Sequence, residues 1–274
     1  MRNKFISSLT GAVFSFAASG LAFAADMAVK SAPPAPPPAV PSWTGFYIGI
    51  DAGGAWGLSD QKWQFTEPAG PLDPVDFGRS HQLGGVGGFL AGYNWQFSPA
   101  WVVGIEGDYN WASSSNTNTT RNITHGGVPV GLPGEFSLQM NQSLDWLASV
   151  RGRIGYVWGS SLWYATGGAA WEGVEYAGLF YDFGAPNGSL SATANTPNPI
   201  NKTNSGWVAG GGVEYMATEH VLLRLEYLYY GFNGSTATAP YCFVAGGCSP
   251  GLFSTYSWSN NNVQTVRAAL SYKF

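Results

Sequence analysis

The sequence predicts an all-β fold, an eight-stranded antiparallel up-and-down transmembrane β-barrel with short turns at one end and four long loops at the other. Three observations carry this. Eight segments alternate apolar and polar residues with a period of two, the mark of strands with unlike faces. The connections between those segments alternate between long and short. And of 274 residues only 10% are charged, while 15% are aromatic, 38 are glycine and the mean hydropathy is -0.03. Soluble domains are about 25% charged, so a chain with little charge and no overall apolarity fits a sheet that turns one face to lipid.

The first segment of the chain is expected to be an export signal. Arg2 and Lys4 precede an apolar stretch over residues 5–21, and Ala22-Phe23-Ala24 fits the small-x-small cleavage rule, so residues 1–24 are read as a signal peptide cut before Ala25. Its removal leaves ten basic and sixteen acidic residues, a net charge of -6, which offers nothing to nucleic acid. Residues 25–42 hold the run DMAVKSAPPAPPPAVP. Proline at that density joins neither a sheet nor a helix interior, so a Pro-rich periplasmic spacer is expected. Residues 43–274 are then the barrel domain.

Within that domain the strands follow in order. Residues 43–57 put Phe46, Ile48, Ile50 and Trp56 on one face and Tyr47, Gly49, Asp51 and Gly53 on the other. Residues 88–97 oppose Phe89, Ala91, Tyr93, Trp95 and Phe97 to Leu90, Gly92, Asn94 and Gln96. Residues 101–111 oppose a face with Trp101, Ile105 and Trp111 to one with Glu106, Asp108 and Asn110, and residues 144–158 oppose Trp146, Ile154 and Trp158 to Asp145, Arg151 and Arg153. In residues 162–176 small side chains fill both faces, which leaves them unassigned. Residues 206–216 set Trp207 and Tyr215 against Glu214, and residues 220–232 set Leu223, Leu225 and Tyr229 against Arg224 and Glu226. The final run, VQTVRAALSYKF, alternates Val266, Leu270, Tyr272 and Phe274 with Arg267 and Lys273.

Long connections are expected over residues 58–83, 112–143, 177–205 and 233–262, with short turns near residues 98–99, 159–161 and 217–219. Short periplasmic turns and long extracellular loops are the asymmetry of outer-membrane barrels. Each strand reaches the roughly nine to eleven residues that a tilted crossing needs. An open sheet edge in hydrocarbon would leave backbone groups unpaired, so the sheet must close, and the last strand is expected to pair with the first. Aromatics form two girdles: Trp43, Phe46, Trp95, Phe97, Trp101, Tyr156, Trp158, Tyr215, Tyr272 and Phe274 at the turn end, and Trp56, Trp111, Trp146, Tyr229 and Phe232 at the loop end. A soluble barrel with the apolar face inward is disfavoured, because the Trp and Tyr side chains would overfill an eight-stranded interior.

The second face of each strand then lines the lumen. It carries Asp51, Glu106, Asp108, Asp145, Arg151, Arg153, Glu214, Arg224, Glu226 and Arg267. Counting levels up from the turns sets Glu106 beside Arg153, Asp108 beside Arg151 and Glu226 beside Arg267. In so narrow a barrel these charges are expected to form a network that fills the lumen and blocks a wide aqueous channel.

Residues 43–57, the run LWYATGGAAW, the ADMAV at the expected mature start and the terminal VRAALSYKF together resemble the small outer-membrane barrels of alphaproteobacteria. This is the porin-like or opacity-type family, similar to the outer membrane protein A transmembrane domain and including RopB-type and hemin-binding surface proteins. The resemblance runs from about Ala25 to Phe274 and is carried by the two ends. It implies that Tyr272 and Phe274 belong to the C-terminal signal read by the barrel-assembly machinery of Gram-negative bacteria. It also implies an envelope and surface role, with outer-membrane lipid and lipopolysaccharide as surroundings.

Other chemistry is weighed against plainer readings. Cys242 and Cys248 flank FVAGG in the last loop, and in an exported chain a disulfide is expected rather than free thiols or a metal pair. His81 and His125, in expected outer loops, could meet heme iron or a host ligand, but isolated loop histidines are more often solvated, and His220 sits at a periplasmic turn. Ser80-His81 is a poor catalytic pair, since neighbours on a strand point to opposite faces. No cofactor, metal site or enzymatic activity is therefore expected. A structural barrel stands first, ahead of a narrow diffusion channel and a loop-based ligand binder.

Overall fold

The computed structural model describes residues 42–68, 70–71, 74–120, 123–125, 128–130, 136–182, 190, 192–196 and 200–274. The expected signal peptide and nearly all of the spacer lie outside the described residues. From Pro41 to Phe274 the chain forms one compact unit. Eight strands close a ring: β1 (Gly45–Glu67), β2 (Val75–Ser98), β3 (Trp101–Thr120), β4 (Phe136–Trp158), β5 (Ser161–Asp182), β6 (Ile200–Met216), β7 (Val221–Phe232) and β8 (Gly247–Lys273). Each is antiparallel to its neighbour in sequence, and β8 returns to β1 from Tyr47↔Lys273 to Thr66↔Phe253. The chain therefore leaves no edge open at membrane depth, as the hydrocarbon demands.

Much of what the sequence suggests as loop is strand. β1 runs to Glu67, β5 to Asp182, and the segment Ser235–Phe243 pairs with the start of β8 in a further hairpin. On β1 and on Ser235–Phe243 the outward face carries Asp60, Lys62, Gln64, Thr66, Thr236 and Thr238, so it is polar there and the lipid-facing signal disappears. The alternation persists with its polarity reversed. Below the outer rim the apolar residues face out; above it Trp63, Phe180, Tyr256 and Trp258 face in and are almost wholly buried.

Bulges bring about the reversal on β4 and β8, whereas β1 and β5 keep their inward phase and change residue type along it, from Asp51 to Trp63 and from Tyr164 to Phe180. On β4 the pairing steps from Leu144↔Val174 to Trp146↔Gly173, leaving Asp145 as the extra residue. The inward set thereby changes from Arg153, Arg151, Ser149 and Leu147 to Leu144, Gln142, Met140 and Leu138. On β8 a three-residue step, Asn262 to Ser259, faces a two-residue step on β1, and Asn260 takes a left-handed φ of 51° there. One extra residue flips every later side chain to the other face, so Trp258 and Tyr256 turn inward.

The interior consequently has three tiers. At the base, Trp43 lies under the mouth with Val102, Leu162, Met216 and Leu222. Charged residues occupy the middle. Above them an apolar and aromatic layer includes Trp63 stacked on Phe180 with 5.3 Å between centroids and Tyr176 against Trp258 at 4.8 Å. Two expected girdle residues are thus corrected: Trp43 and Phe232 are buried inside. Trp43 precedes the first strand pair and folds under the barrel, while Phe232 is even-numbered and shares the inward phase of Arg224 and Glu226. The other expected lower-girdle aromatics face outward and are exposed, as are Trp163 and Trp207 on β5 and β6.

Candidate functional site

The middle of the lumen is where the chain concentrates its chemistry. Glu106 and Asp108 come from β3, Arg151 and Arg153 from β4, Glu214 from β6, Arg224 and Glu226 from β7, Arg267 from β8 and Asp51 from β1, and all nine are buried. The Arg151 guanidinium reaches Glu106 at 2.5 Å, Glu226 at 2.9 Å and Asp108 at 3.2 Å. Arg224 bonds Glu106 in bidentate fashion at 2.8 and 2.5 Å and also holds Glu214. Arg153 contacts Glu214 at 2.9 Å and Glu106 at 3.3 Å, and Arg267 contacts Glu226 at 2.8 Å and Asp108 at 3.1 Å. Charge-assisted, partly bidentate contacts of this kind fix geometry as well as charge.

Tyrosines complete the set. Tyr47 donates to Glu106 at 2.7 Å and Tyr164 donates to Glu226 at 2.9 Å. The Arg153 guanidinium lies 4.1 Å from the Tyr164 ring centroid, a cation–π contact inside the barrel.

Room for these long side chains comes from glycines directly across the ladder. Gly53 faces Arg267, Gly104 faces Arg153 and Gly168 faces Arg151. A methyl at Gly168 would fall 2.0 Å from the Val150 carbonyl oxygen and 2.8 Å from Arg151 Cα. Strands at these positions are too closely applied for any Cβ.

The sequence reading and the site differ in three places. Asp145 is exposed, because it is the bulge residue and its side chain leaves the lumen phase. Glu106 lies across from Arg151 instead of Arg153, and Asp108 across from Ser149 instead of Arg151, because Trp101 pairs with Tyr156 and not with Trp158; barrel stagger moves the register by two residues. Glu226 does face Arg267. A further carboxylate went unassigned. Glu172 on β5 is 1% exposed and accepts a hydrogen bond from Asn204, which also donates to Tyr176. Its even number in the run Leu162, Tyr164, Thr166, Ala170 would have placed it, had not small residues occupied both faces of that strand.

Elsewhere, Ser80 is buried while His81 is exposed, so the two point apart. The His125 side chain lies outside the described residues. His220 donates from Nδ1–H to the Lys273 carbonyl at 2.8 Å, and its ring stacks on Tyr272. Cys242 and Cys248 form a disulfide as a cross-strand pair near the outermost hairpin tip, whose Phe243 and Val244 are exposed. Below that tip Tyr241 donates to Asp182 at 2.6 Å, and its phenol is held above the usual pKa by burial first and by the carboxylate second. At the opposite rim Phe274 bonds the Phe46 carbonyl at 2.9 Å, while its ring and that of Tyr272 stay exposed on the outer wall.

Comparison with known sequences agrees with this architecture. Residues 14–274 match the family model described as outer membrane protein beta-barrel domain. The 31 kDa outer-membrane immunogenic protein of Brucella melitensis is 32% identical over 265 residues, covering 92% of this chain and 93% of its own. The 22 kDa outer membrane protein of Rhizobium leguminosarum is 30% identical over 189 residues, covering 69% of this chain and 64% of its own. Among solved structures, the outer membrane protein OprG from Pseudomonas aeruginosa aligns with a TM-score of 0.41 at 14% identity, over 84% of this chain and 96% of that one.

Proposed function

The chain belongs to the outer membrane beta-barrel family, and from that premise we propose that it is a closed, non-catalytic structural barrel of the outer membrane. The observation that carries this reading is the buried network of nine charged side chains, set between an apolar base and an aromatic upper tier. A solute crossing the lumen would have to part these ion pairs. Separating one partner of a buried pair costs about 3–5 kcal/mol, and Arg151 alone is engaged by three carboxylates. The wall is therefore braced across its diameter, and the barrel contributes stiffness to the envelope in place of a pathway.

The outer surface serves lipid, lipopolysaccharide and the outside. Relatives are named as immunogenic outer-membrane proteins, and the disulfide-closed hairpin presents Phe243 and Val244 beyond the rim. Tyr272 and Phe274, exposed at the periplasmic rim, are proposed contacts for the assembly machinery. The opposed orientation of Ser80 and His81 supports a non-enzymatic role. Reconstitution in planar bilayers tests the central claim: no steady conductance is expected at moderate voltage, and a sustained, reproducible open level would reject the closed lumen in favour of a narrow porin.

A further inference from the structure

We infer that the lumen network holds one monovalent metal cation, bound by Asp51 with the Asn110 carbonyl oxygen. The first ground is charge. Five carboxylates, Asp51, Glu106, Asp108, Glu214 and Glu226, meet four guanidiniums, Arg151, Arg153, Arg224 and Arg267. That leaves a net charge of -1 among the described residues of the network. Lys273 does not offset it, because its ammonium sits at the base and bonds the Ser42 carbonyl. Glu172 lies higher, has Asn204 as its partner and stands outside this set. A buried charge without a counter-charge is strongly disfavoured.

The second ground locates the surplus. Asp51 is 7% exposed, and neither of its carboxylate oxygens accepts a hydrogen bond. Its contact with Arg267 is long, 3.7 Å, because that guanidinium is drawn to Asp108 at 3.1 Å and Glu226 at 2.8 Å.

A third, independent observation comes from Asn110. This side chain is 0% exposed, and its amide nitrogen donates to Asp108 at 3.0 Å, which leaves its Oδ1 without a partner. Asp51 and Asn110 share one rung across β1, β2 and β3, both opposite Gly88, which has no side chain to come between them. Oxygen donors without His or Cys favour a hard cation. A single positive charge restores neutrality, whereas a divalent ion would leave a surplus of the other sign, so sodium or potassium is the fitting class.

The inference uses the closed lumen only as its setting, and the test reads stability, so the two can fail separately. The mature chain is refolded from urea into detergent in sodium chloride, potassium chloride or choline chloride at equal ionic strength and pH 8, so that the ion is present while the lumen closes. We expect a melting temperature about 5 °C higher in one alkali salt than in choline. Asp51→Asn is expected to abolish that difference and to be at least as stable as the parent in choline. Asn110→Ala, which keeps the carboxylate, is expected to shrink it, and this variant decides the matter should Asp51→Asn not fold. Wild-type stability indifferent to alkali ions, or a dependence unchanged in these variants, would overturn the inference. So would stability that responds only to acidification, since the neutralising charge would then be a proton on Asp51.

Discussion

Arg151 shows how a single residue organises this molecule. Its guanidinium takes contacts from two carboxylates of β3 and one of β7, so it ties opposite walls together. Truncating it leaves three acids facing each other in a buried space, a loss of about 3–5 kcal/mol. For a domain of this size that corresponds to about 2–4 °C in melting temperature per kcal/mol. Arg151→Ala is therefore expected to melt in detergent at least about 6 °C below the parent, whereas Lys202→Ala, whose ammonium makes one 3.4 Å contact to the Thr236 carbonyl, should change little; equal melting temperatures would argue against a bracing role. Most of the charged site was legible because period two sorts charged residues from apolar ones without reference to three dimensions. Asp145 was not, since one bulge undoes the count, and Glu172 was not, since Ala and Gly on both faces of β5 remove the contrast on which the count relies.

At the level of elements, strand registry depends on where side chains are missing. Gly168 and Gly53 lie against the backbone of the neighbouring strand, with no space for a methyl, while a methyl at Gly54 would meet nothing within 4 Å. Gly168→Ala is accordingly expected to lower the yield of the heat-modifiable folded form, with Gly54→Ala indistinguishable from the parent by gel shift and circular dichroism. A comparable yield from both would mean that β4 and β5 can separate locally at no cost. The eight crossings were readable from sequence, as was the closing pair of β1 and β8. Their length above the rim was not, because an apolar-outward pattern marks lipid, and strands in water keep their alternation while inverting it. Relative level between β3 and β4 was also out by two residues, since stagger is a property of the closed ring and not of any one strand.

For the whole molecule, the arrangement divides the tryptophans into two populations. Trp101, Trp163 and Trp207 face outward at membrane depth, whereas Trp43, Trp63 and Trp258 are buried inside. Single-tryptophan variants in brominated-lipid vesicles should therefore show strong quenching for the first three and weak quenching for the others. Quenching of Trp258 at the level of Trp207 would contradict the inward turn that follows the β8 bulge.

That turn has a bearing on how the protein reaches its place. The outer storey is a water-solvated sheet with a greasy centre, and the inner storey is its inverse, so the two cannot mature in the same solvent. The hairpins must travel through the bilayer with Trp63, Phe180 and Trp258 not yet enclosed by one another, and can bury them only on arrival. Insertion is thus expected to be one-way: once the far side has coalesced, withdrawal would mean dragging a polar exterior back through oil.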